Sequence, residues 1–353
     1  MNLTELFTPE IIAANYTEAA SNAIPYLGSG LFPSVKRAGL DLAWIKGHKG
    51  LPVSLKPSAF DAKATFRDRI GVSKLETEMP FFREGYKIKE KDRQEILRAQ
   101  SSNDPYAADV INRIYDDQQD LIAGADVVPE RMRMQLLFPE GGAMGITIKA
   151  NGVNYTYNYD PDGAWKKANY TALTTTDLWT ATATADPFKQ IQTIKDKMAN
   201  DYGVTLAYMV MNTTTFNLMK ATDAVKNRWL TVTGRSMGYL TNDEAKDVIA
   251  STTGIQIVIY DKLYADESGA SHKFVPDGYV SFIPEGALGK TAYGTTPEEA
   301  DLAGSADVAI VNTGVAITVE TTVHPVNVNT YASEIVLPSF ERMDEVAVMK
   351  VTA

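Results

Sequence analysis

The sequence predicts an α+β fold, because helical and strand-like segments do not alternate regularly, one long helical stretch stands apart, and a mixed lobe of helices and strands follows it. A doubly wound sheet or a barrel of alternating strands and helices requires regular alternation, so both are disfavoured. The 353 residues, 44% of them hydrophobic, suffice for a large core and for two or three lobes.

Residues 1–44 are predicted to form an arm. Thr8 followed by Pro9 is an N-cap with proline at the first helical position, which predicts a short helix. Prolines and glycines at 25–39 then predict an interruption of regular structure, although apolar side chains continue. We expect the arm to pack on its own chain or on a neighbouring subunit, because apolar side chains are not typical of a tail that stays free in solvent. The arm residues expected at a subunit contact are Leu27, Leu31 and Phe32.

Residues 45–88 are predicted to form a long, extended hairpin. Two strand-like limbs flank a charged tip, and about one-third of the segment is charged. A segment with so many charged residues is not suited to forming a hydrophobic core of its own, so we expect it to protrude and to pack on neighbouring subunits. The residues expected at a subunit contact near the tip are Arg67, Asp68, Arg69 and Lys74.

A long helix is predicted up to residue 137. Segment 90–99 is helical, Asn103-Asp104-Pro105 restarts a helix, and apolar residues then recur at a period close to 3.6, with Pro129 as a candidate kink. Alternating residues around Asn151-Gly152 predict a β-hairpin at 146–159 with a type I′ turn.

The remaining chain is predicted to be a mixed lobe reached through a Thr- and Ala-rich linker at 168–185. Asp186-Pro187 and the capping box from Thr241 to Glu244 begin helices. The other expected features are helix-ending glycines at 203 and 254, a short helix from residue 213, strands at 204–211, 255–260, 278–283, 307–312 and 314–323, a polar loop at 284–304 and a strand-like end at 333–351.

Composition excludes several kinds of function. The chain has no cysteine and only three scattered histidines, so neither a thiolate site nor a histidine-rich metal site is predicted. The net charge of −10 disfavours nucleic-acid binding by general phosphate neutralisation. Residues 1–100 are nevertheless net +3 and the remainder is net −13, which hints at attraction between copies of the chain. We find no secretory signal and no apolar stretch long enough to span a membrane.

Individual motifs favour structural interpretations over chemical ones. The segment at 286–291 lacks the first glycine of a phosphate-binding loop and is expected to be an exposed loop. The acidic groups at 116–120 and 298–301 match no calcium loop, and His272 is expected to be a surface residue. The hairpin tyrosines are expected to pack on the long helix, with a stacking platform for sugars or bases as the alternative; they are Tyr155, Tyr157 and Tyr159.

The order of these segments resembles the Hong Kong 97-type fold of tailed-phage major capsid proteins, and more narrowly the lambda E-type major head protein family. The resemblance covers nearly the whole chain and depends on order and spacing rather than on one motif. The stretches that carry it are 6–15 (LFTPEIIAAN), 79–86 (MPFFREGY), 274–284 (FVPDGYVSFIP), Leu288-Gly289, Tyr293-Gly294 and 335–338 (IVLP).

The resemblance implies a structural subunit of an icosahedral phage or prophage capsid, neither an enzyme nor a binder of cofactors or metals. It implies pentamers and hexamers that enclose double-stranded DNA without sequence-specific binding, assembled in the host cytoplasm with a scaffolding protein, a portal protein and, in some relatives, a decoration protein. The implied domains are an arm at 1–44, an extended loop at 45–88, a peripheral domain at 89–185 with a return segment at 324–353, and an axial domain at 186–323.

Two alternatives remain open at this point. One is a bacterial nanocompartment shell protein with the same fold, which would enclose enzymes instead of DNA. The other is an α+β carbohydrate- or ligand-binding protein, or an enzyme, that uses the hairpin tyrosines. Some relatives of the capsid family crosslink covalently through lysine and asparagine, but no such pair is matched for Lys56, Lys63 or Lys74.

Overall fold

Helices and strands follow one another irregularly, as predicted, in a computed structural model that describes residues 8–21, 25–46, 73–101, 105–150, 153–266, 268–302, 307–324 and 326–353. The chain divides into two compact units. The first unit comprises Met1–Ala43, Glu76–Met132 and Lys290–Ser339, and the second unit comprises Trp44–Leu75, Arg133–Gly289 and Phe340–Ala353.

Ten helices and seventeen strands are found in the described residues. The helices are α1 Pro9–Ser21, α2 Leu27–Leu31, α3 Glu90–Ser101, α4 Pro105–Leu137, α5 Ala164–Asn169, α6 Pro187–Tyr202, α7 Thr213–Ala221, α8 Asp223–Thr233, α9 Asn242–Thr253 and α10 Pro297–Leu302. The strands are β1 Ser34–Lys36, β2 Asp41–Lys46, β3 Ser73–Glu78, β4 Phe81–Ile88, β5 Gly145–Ala150, β6 Val153–Asn158, β7 Tyr170–Ala172, β8 Leu206–Met211, β9 Gln256–Ile259, β10 Leu263–Ala265, β11 Ser271–Lys273, β12 Tyr279–Pro284, β13 Lys290–Tyr293, β14 Val308–Val311, β15 Val315–Val323, β16 Val326–Ser339 and β17 Ala347–Lys350.

The first unit is built on a six-stranded sheet. Five strands lie in the order β1-β13-β16-β15-β14, and β4 also pairs with the long strand β16, from Val328 opposite Ile88 to Ile335 opposite Phe81. Helix α1 packs on β14 and β15. Its apolar face joins a buried cluster with α4, β14 and β15, which consists of Ile12, Tyr16, Ile122, Val311 and Ile317.

The second unit is built on a five-stranded sheet in the order β7-β17-β12-β8-β9. All six residues of the central strand β12 are buried. Helices α6 to α9 cover the sheet with apolar residues spaced three or four apart, such as Ile191, Ile194 and Met198 on α6, because that spacing places them on one helical face.

The predicted helix boundaries in the mixed lobe are confirmed. Asp186 accepts a hydrogen bond from the backbone N–H of Lys189 at 3.1 Å and caps α6. Gly203 ends that helix with a φ of 68°, a left-handed conformation that glycine adopts without strain. Thr241 and Glu244 form the predicted capping box at the start of α9.

The long helix and the following hairpin are also confirmed. Helix α4 spans 33 residues and continues through Pro129. Strands β5 and β6 pair antiparallel from Gly145 opposite Asn158 to Ala150 opposite Val153. The predicted turn at 151–152 lies outside the described residues.

Three local predictions are wrong. The predicted linker contains β7, and the indole of Trp179 is fully buried in the core of the second unit. The predicted exposed loop at 286–291 and the longer polar loop around it contain β13 and α10, with Leu288 and Thr291 fully buried. The predicted interruption of the arm contains the short helix α2 and strand β1. In each case pairing or burial against distant parts of the chain outweighs a locally polar or glycine-rich sequence.

Only the two ends of the predicted extended hairpin are described. Strands β2 and β3 pair with each other as a two-stranded sheet, which is the arrangement expected for its limbs. Residues 47–72, including the predicted tip, lie outside the described residues.

The peripheral and axial domains implied by the resemblance are defined by position in an assembled shell, whereas the two units are defined within one chain. The predicted return segment, 324–353, contributes to both units: β16 belongs to the sheet of the first unit, and β17 pairs with β12 and β7 in the second. The predicted domain boundaries therefore stay a prediction.

Candidate assembly surfaces

The arm is anchored to the first unit of its own chain. The Tyr16 hydroxyl donates a hydrogen bond to Asp126 on α4, and Asp126 also accepts one from Asn312 at 3.1 Å. Burial, together with the hydrogen bond to Asp126, raises the pKa of Tyr16, so the hydroxyl keeps its proton as a donor. These contacts hold α1 in place on the unit.

The three predicted arm contacts differ in their surroundings. Phe32 is fully buried within the first unit, so in this conformation its side chain presents no surface to a neighbouring subunit. Leu27 and Leu31 are half-buried on α2 and keep part of their surface. Helix α2 is held to α4 by the backbone N–H of Gly28, which donates to the buried carboxylate of Glu130 at 3.0 Å.

After α2 the arm continues as an edge strand. Strand β1 pairs in parallel with β13, with Ser34 opposite Thr291. The Thr291 hydroxyl donates to the Phe32 carbonyl at 2.9 Å, and its backbone N–H donates to the Pro33 carbonyl at 3.0 Å. The arm is therefore attached by backbone pairing as well as by apolar burial.

Two glutamates on α10 bind basic residues from the front of the chain. Glu299 forms an ion pair with Lys36 on β1, and Glu298 forms one with Arg83 on β4. Lys36 also donates to the Gly294 carbonyl at 3.0 Å. The carboxylates of this acidic group therefore hold the arm strand and β4 on the first unit. Part of the attraction between the basic front and the acidic remainder therefore acts within one chain.

The predicted hairpin residues are only partly described. Arg67, Asp68 and Arg69 lie outside the described residues, and Lys74 is placed on β3 by its backbone alone.

The tyrosine hairpin is fastened to the long helix. The side-chain amide of Gln135 on α4 accepts from the Thr147 N–H at 2.8 Å and donates to the Thr147 carbonyl at 3.1 Å. Tyr155 and Tyr157 are half-buried and stacked at 6.5 Å between ring centroids, and Tyr159 is buried. Their cross-strand partners Ile148 and Ile146 are buried on the same face. This arrangement favours the packed interpretation over an open stacking platform.

No catalytic constellation is found in the described part of the chain. His272 Nε2 lies 2.8 Å from Asp266, but the hydroxyl of Ser268 donates to Asp266 and not to the histidine, so the serine is not activated as a nucleophile. No group of three or more metal-binding side chains occurs among the described residues. None of the helices described is both long enough and apolar enough to cross a membrane.

One exposed apolar surface was not predicted from the sequence. The loop between α8 and α9, residues 234–240, carries Met237 and Tyr239, which are 85% and 81% exposed. Its composition, Gly-Arg-Ser-Met-Gly-Tyr-Leu, gives no periodic signal, so only the coordinates distinguish exposed from buried apolar side chains here.

The described fold is that of phage capsid proteins. A protein assigned as the capsid protein of a prophage in Escherichia coli CFT073 is 13% identical and aligns over 98% of this chain and 99% of its own, with a TM-score of 0.58. A phage-related protein from Bordetella bronchiseptica RB50 is 12% identical over 97% and 96% of the two chains, with a TM-score of 0.54. The capsid of cyanophage A-1(L) gives 11% identity, 93% and 92% coverage and a TM-score of 0.53.

The family model for phage major capsid protein E matches residues 13–351, so the chain belongs to that family. It is a structural subunit of a phage capsid, with the Hong Kong 97-type fold predicted from the sequence. The family indicates a structural rather than a catalytic role and a place in the virion capsid. No curated protein is significantly similar to the chain in sequence.

Proposed function

We propose that this subunit assembles into the pentamers and hexamers of an icosahedral shell that encloses double-stranded DNA, through contacts made by its extended hairpin and arm. Membership of the capsid family supports self-assembly as such. Assembly would take place in the host cytoplasm with a scaffolding protein and a portal protein, and a decoration protein is a further expected partner.

The proposal that the hairpin contacts a neighbouring subunit rests on the distribution of charge. The segment Trp44–Leu75 contains seven Lys and Arg against two Asp and Glu, whereas the ranges that form the first unit contain eleven against twenty-three. A strongly basic hairpin is attracted to an acidic first unit, and such complementarity sets register and association rate between copies. On this proposal Arg67, Arg69 and Lys74 meet acidic groups of a neighbouring subunit, and Asp68 lies beside them at the tip.

The arm contributes a second, apolar contact in this proposal. Leu27 and Leu31 keep part of their surface on α2 while Phe32 fixes the helix to its own unit. The half-buried leucines are therefore the members of the predicted arm set that we assign to a neighbouring subunit.

The first test is direct observation of particles. The full chain would be expressed alone and with the scaffolding protein of the same phage, then imaged by negative stain and sized by sedimentation velocity. Closed shells, or rings of five and six subunits, are the expected result. A chain that stays monomeric in both preparations contradicts the proposal.

Charge reversal tests the hairpin contact. Arg67→Glu with Arg69→Glu should lower shell yield several-fold and reduce its sensitivity to sodium chloride, because exposed ion pairs contribute roughly 0.2–1 kcal/mol each and are screened by salt. Lys189→Glu with Lys246→Glu changes the net charge equally on α6 and α9 and serves as the matched control. Equal losses in the two double variants would show that net charge, and not the hairpin, is responsible.

A further inference from the structure

The loop at residues 234–240, called the tip loop below, exposes apolar side chains in an unusual way. Met237 is 85% exposed and Tyr239 81% exposed, more than the other large apolar side chains described as exposed. Solvent-exposed apolar clusters of this kind mark contact surfaces, and methionine and tyrosine are enriched in the centres of protein interfaces.

A cavity of about 490 Å³ opens beside the same loop. Its volume falls within the range of roughly 300–1,000 Å³ typical of occupied pockets, which is enough for an inserted side chain. The described residues that line it include Lys220, Lys226, Trp229, Met237, Gly238 and Tyr239.

The tip loop is held in this position by specific contacts. Gly238 passes so close to the ring of Trp229 that a Cβ there would lie 2.7 Å from the indole carbon Cη2, which only glycine avoids. Arg235 lies over the same indole ring at 5.5 Å and pairs with Glu244 at 3.1 Å. The exposed side chains are therefore presented by a supported loop.

The two lysine ammonium groups that line the cavity already have polar partners, so an apolar side chain is the occupant that fits it best. The ammonium group of Lys220 donates to Asn242 at 2.6 Å, and that of Lys226 lies 4.0 Å from Asp223. The indole Nε1 of Trp229 is buried and has no hydrogen-bond partner among the described residues.

We infer that the tip loop is a contact between copies of this chain, in which Met237 and Tyr239 of one subunit enter the cavity beside Trp229 of the next. The occupant is a second copy, because the chain belongs to a self-assembling family. In addition, the protruding side chains and the cavity lie within one short stretch of the sequence. A contact that joins two different surfaces, repeated from copy to copy, closes into a ring when the rotation permits. The inference rests on the proposed ring-shaped capsomers and names one of their contacts.

Two serine substitutions test the protruding half of the contact. In the full chain, Met237→Ser with Tyr239→Ser should lower the yield of rings or shells at least tenfold, while thermal unfolding of the dispersed subunit stays unchanged because both side chains are mostly solvated. Leu263→Ser, at a residue 59% exposed on β10, is the matched control for loss of surface apolarity. Assembly of the double variant at the wild-type yield overturns the inference.

Crosslinking tests the cavity half, and the absence of native cysteine makes single thiols specific. Subunits carrying Met237→Cys and mass-tagged subunits carrying Lys226→Cys would be co-assembled and treated with a short bifunctional thiol reagent. Mixed dimers should form in at least fivefold excess over a pairing of Met237→Cys with Asn200→Cys, an exposed position on α6. Equal yields in the two pairings overturn the inference.

The two levels of proposal fail differently. If the wild-type chain forms no rings or shells, the proposed function itself is wrong. If the wild type assembles and both tip-loop tests are negative, the proposed function stands and the tip loop is not a contact between copies of this chain.

Discussion

Replacing Phe32 by alanine should release the arm from its own chain. Burial of a phenylalanine removes roughly 150–250 Å² from water, which at about 25 cal/mol per Å² corresponds to roughly 4–6 kcal/mol. Phenylalanine-to-alanine changes in well-packed cores cost about 3–5 kcal/mol. Because Phe32 is fully buried, we expect Phe32→Ala to weaken docking of the arm by about 3–5 kcal/mol.

The assay is hydrogen exchange of the dispersed subunit, followed by mass spectrometry. The arm makes backbone hydrogen bonds to β13, including Arg37 N–H to the Tyr293 carbonyl at 2.8 Å, and these bonds protect its amides while it is docked. If the arm opens as a unit, a loss of about 3–5 kcal/mol accelerates exchange over residues 25–37 by roughly a hundred- to several-thousand-fold. Peptides from α9 in the second unit should be unchanged.

The control variants are Leu27→Ala and Leu31→Ala. Both leucines are half-buried, so each substitution should accelerate exchange of the arm by less than about tenfold while lowering shell yield. Unchanged exchange in Phe32→Ala would refute the reasoning, because it would mean that the arm is not docked on its own chain in solution. Equal effects of all three variants would refute the division into one anchoring and two intersubunit residues.

Three further predictions concern stability. A Cβ at Gly85 would lie 2.5 Å from the ring of Tyr331, so Gly85→Ala should lower the free energy of unfolding by about 1–3 kcal/mol in urea titration and be partly rescued by Tyr331→Ala. Thr241→Ala should cost about 1 kcal/mol in the same assay, whereas Thr241→Ser, which keeps the capping hydroxyl, should cost little. Burial raises the pKa of Asp277, but hydrogen bonds, first that from Lys273, outweigh it and bring the pKa below its ordinary 3.8. Because the pKa of Asp277 is lower in the folded than in the unfolded chain, its carboxylate stabilises the fold at pH values above the ordinary pKa. This stabilisation is lost as the pH falls through the folded-state pKa, so the destabilisation caused by Asp277→Asn should shrink below about pH 4.

The sequence predicted those parts of the fold that depend on neighbouring residues. Asp186 before proline and Thr241 three residues before a glutamate act within one helical turn, so their signals are readable without the rest of the chain. Strand β13 was missed because its four residues follow one proline and two glycines, and its stability comes from pairing with β1 and β16, which lie far away in sequence. Trp179 was missed for the same reason, since its burial depends on helices that follow it.

The assembly surfaces were predictable only in kind. Apolar residues in an arm indicate that something covers them, but not that Phe32 is covered by its own unit while Leu27 and Leu31 stay partly open. The net charges of the front and the remainder indicate attraction, but not that Glu298 and Glu299 already use part of it within the chain. In both cases the distinction between contacts within a chain and contacts between chains requires coordinates.

The contacts that hold the arm on its own chain determine what an exchange of arms between subunits would change. The arm is held by a pocket for Phe32, pairing of β1 with β13 and the ion pair of Lys36 with Glu299. An arm from a neighbouring copy would meet the same groups and regain the same contacts, so exchange changes little beyond the path of the connecting segment. Salt weakens the ion pair of Lys36 with Glu299 equally whether the arm docks on its own chain or on a neighbouring copy. The proposed hairpin contact exists only between copies, so its weakening by salt lowers assembly without releasing the arm. Loss of assembly at high salt without release of the arm would therefore assign the electrostatic contact to the hairpin.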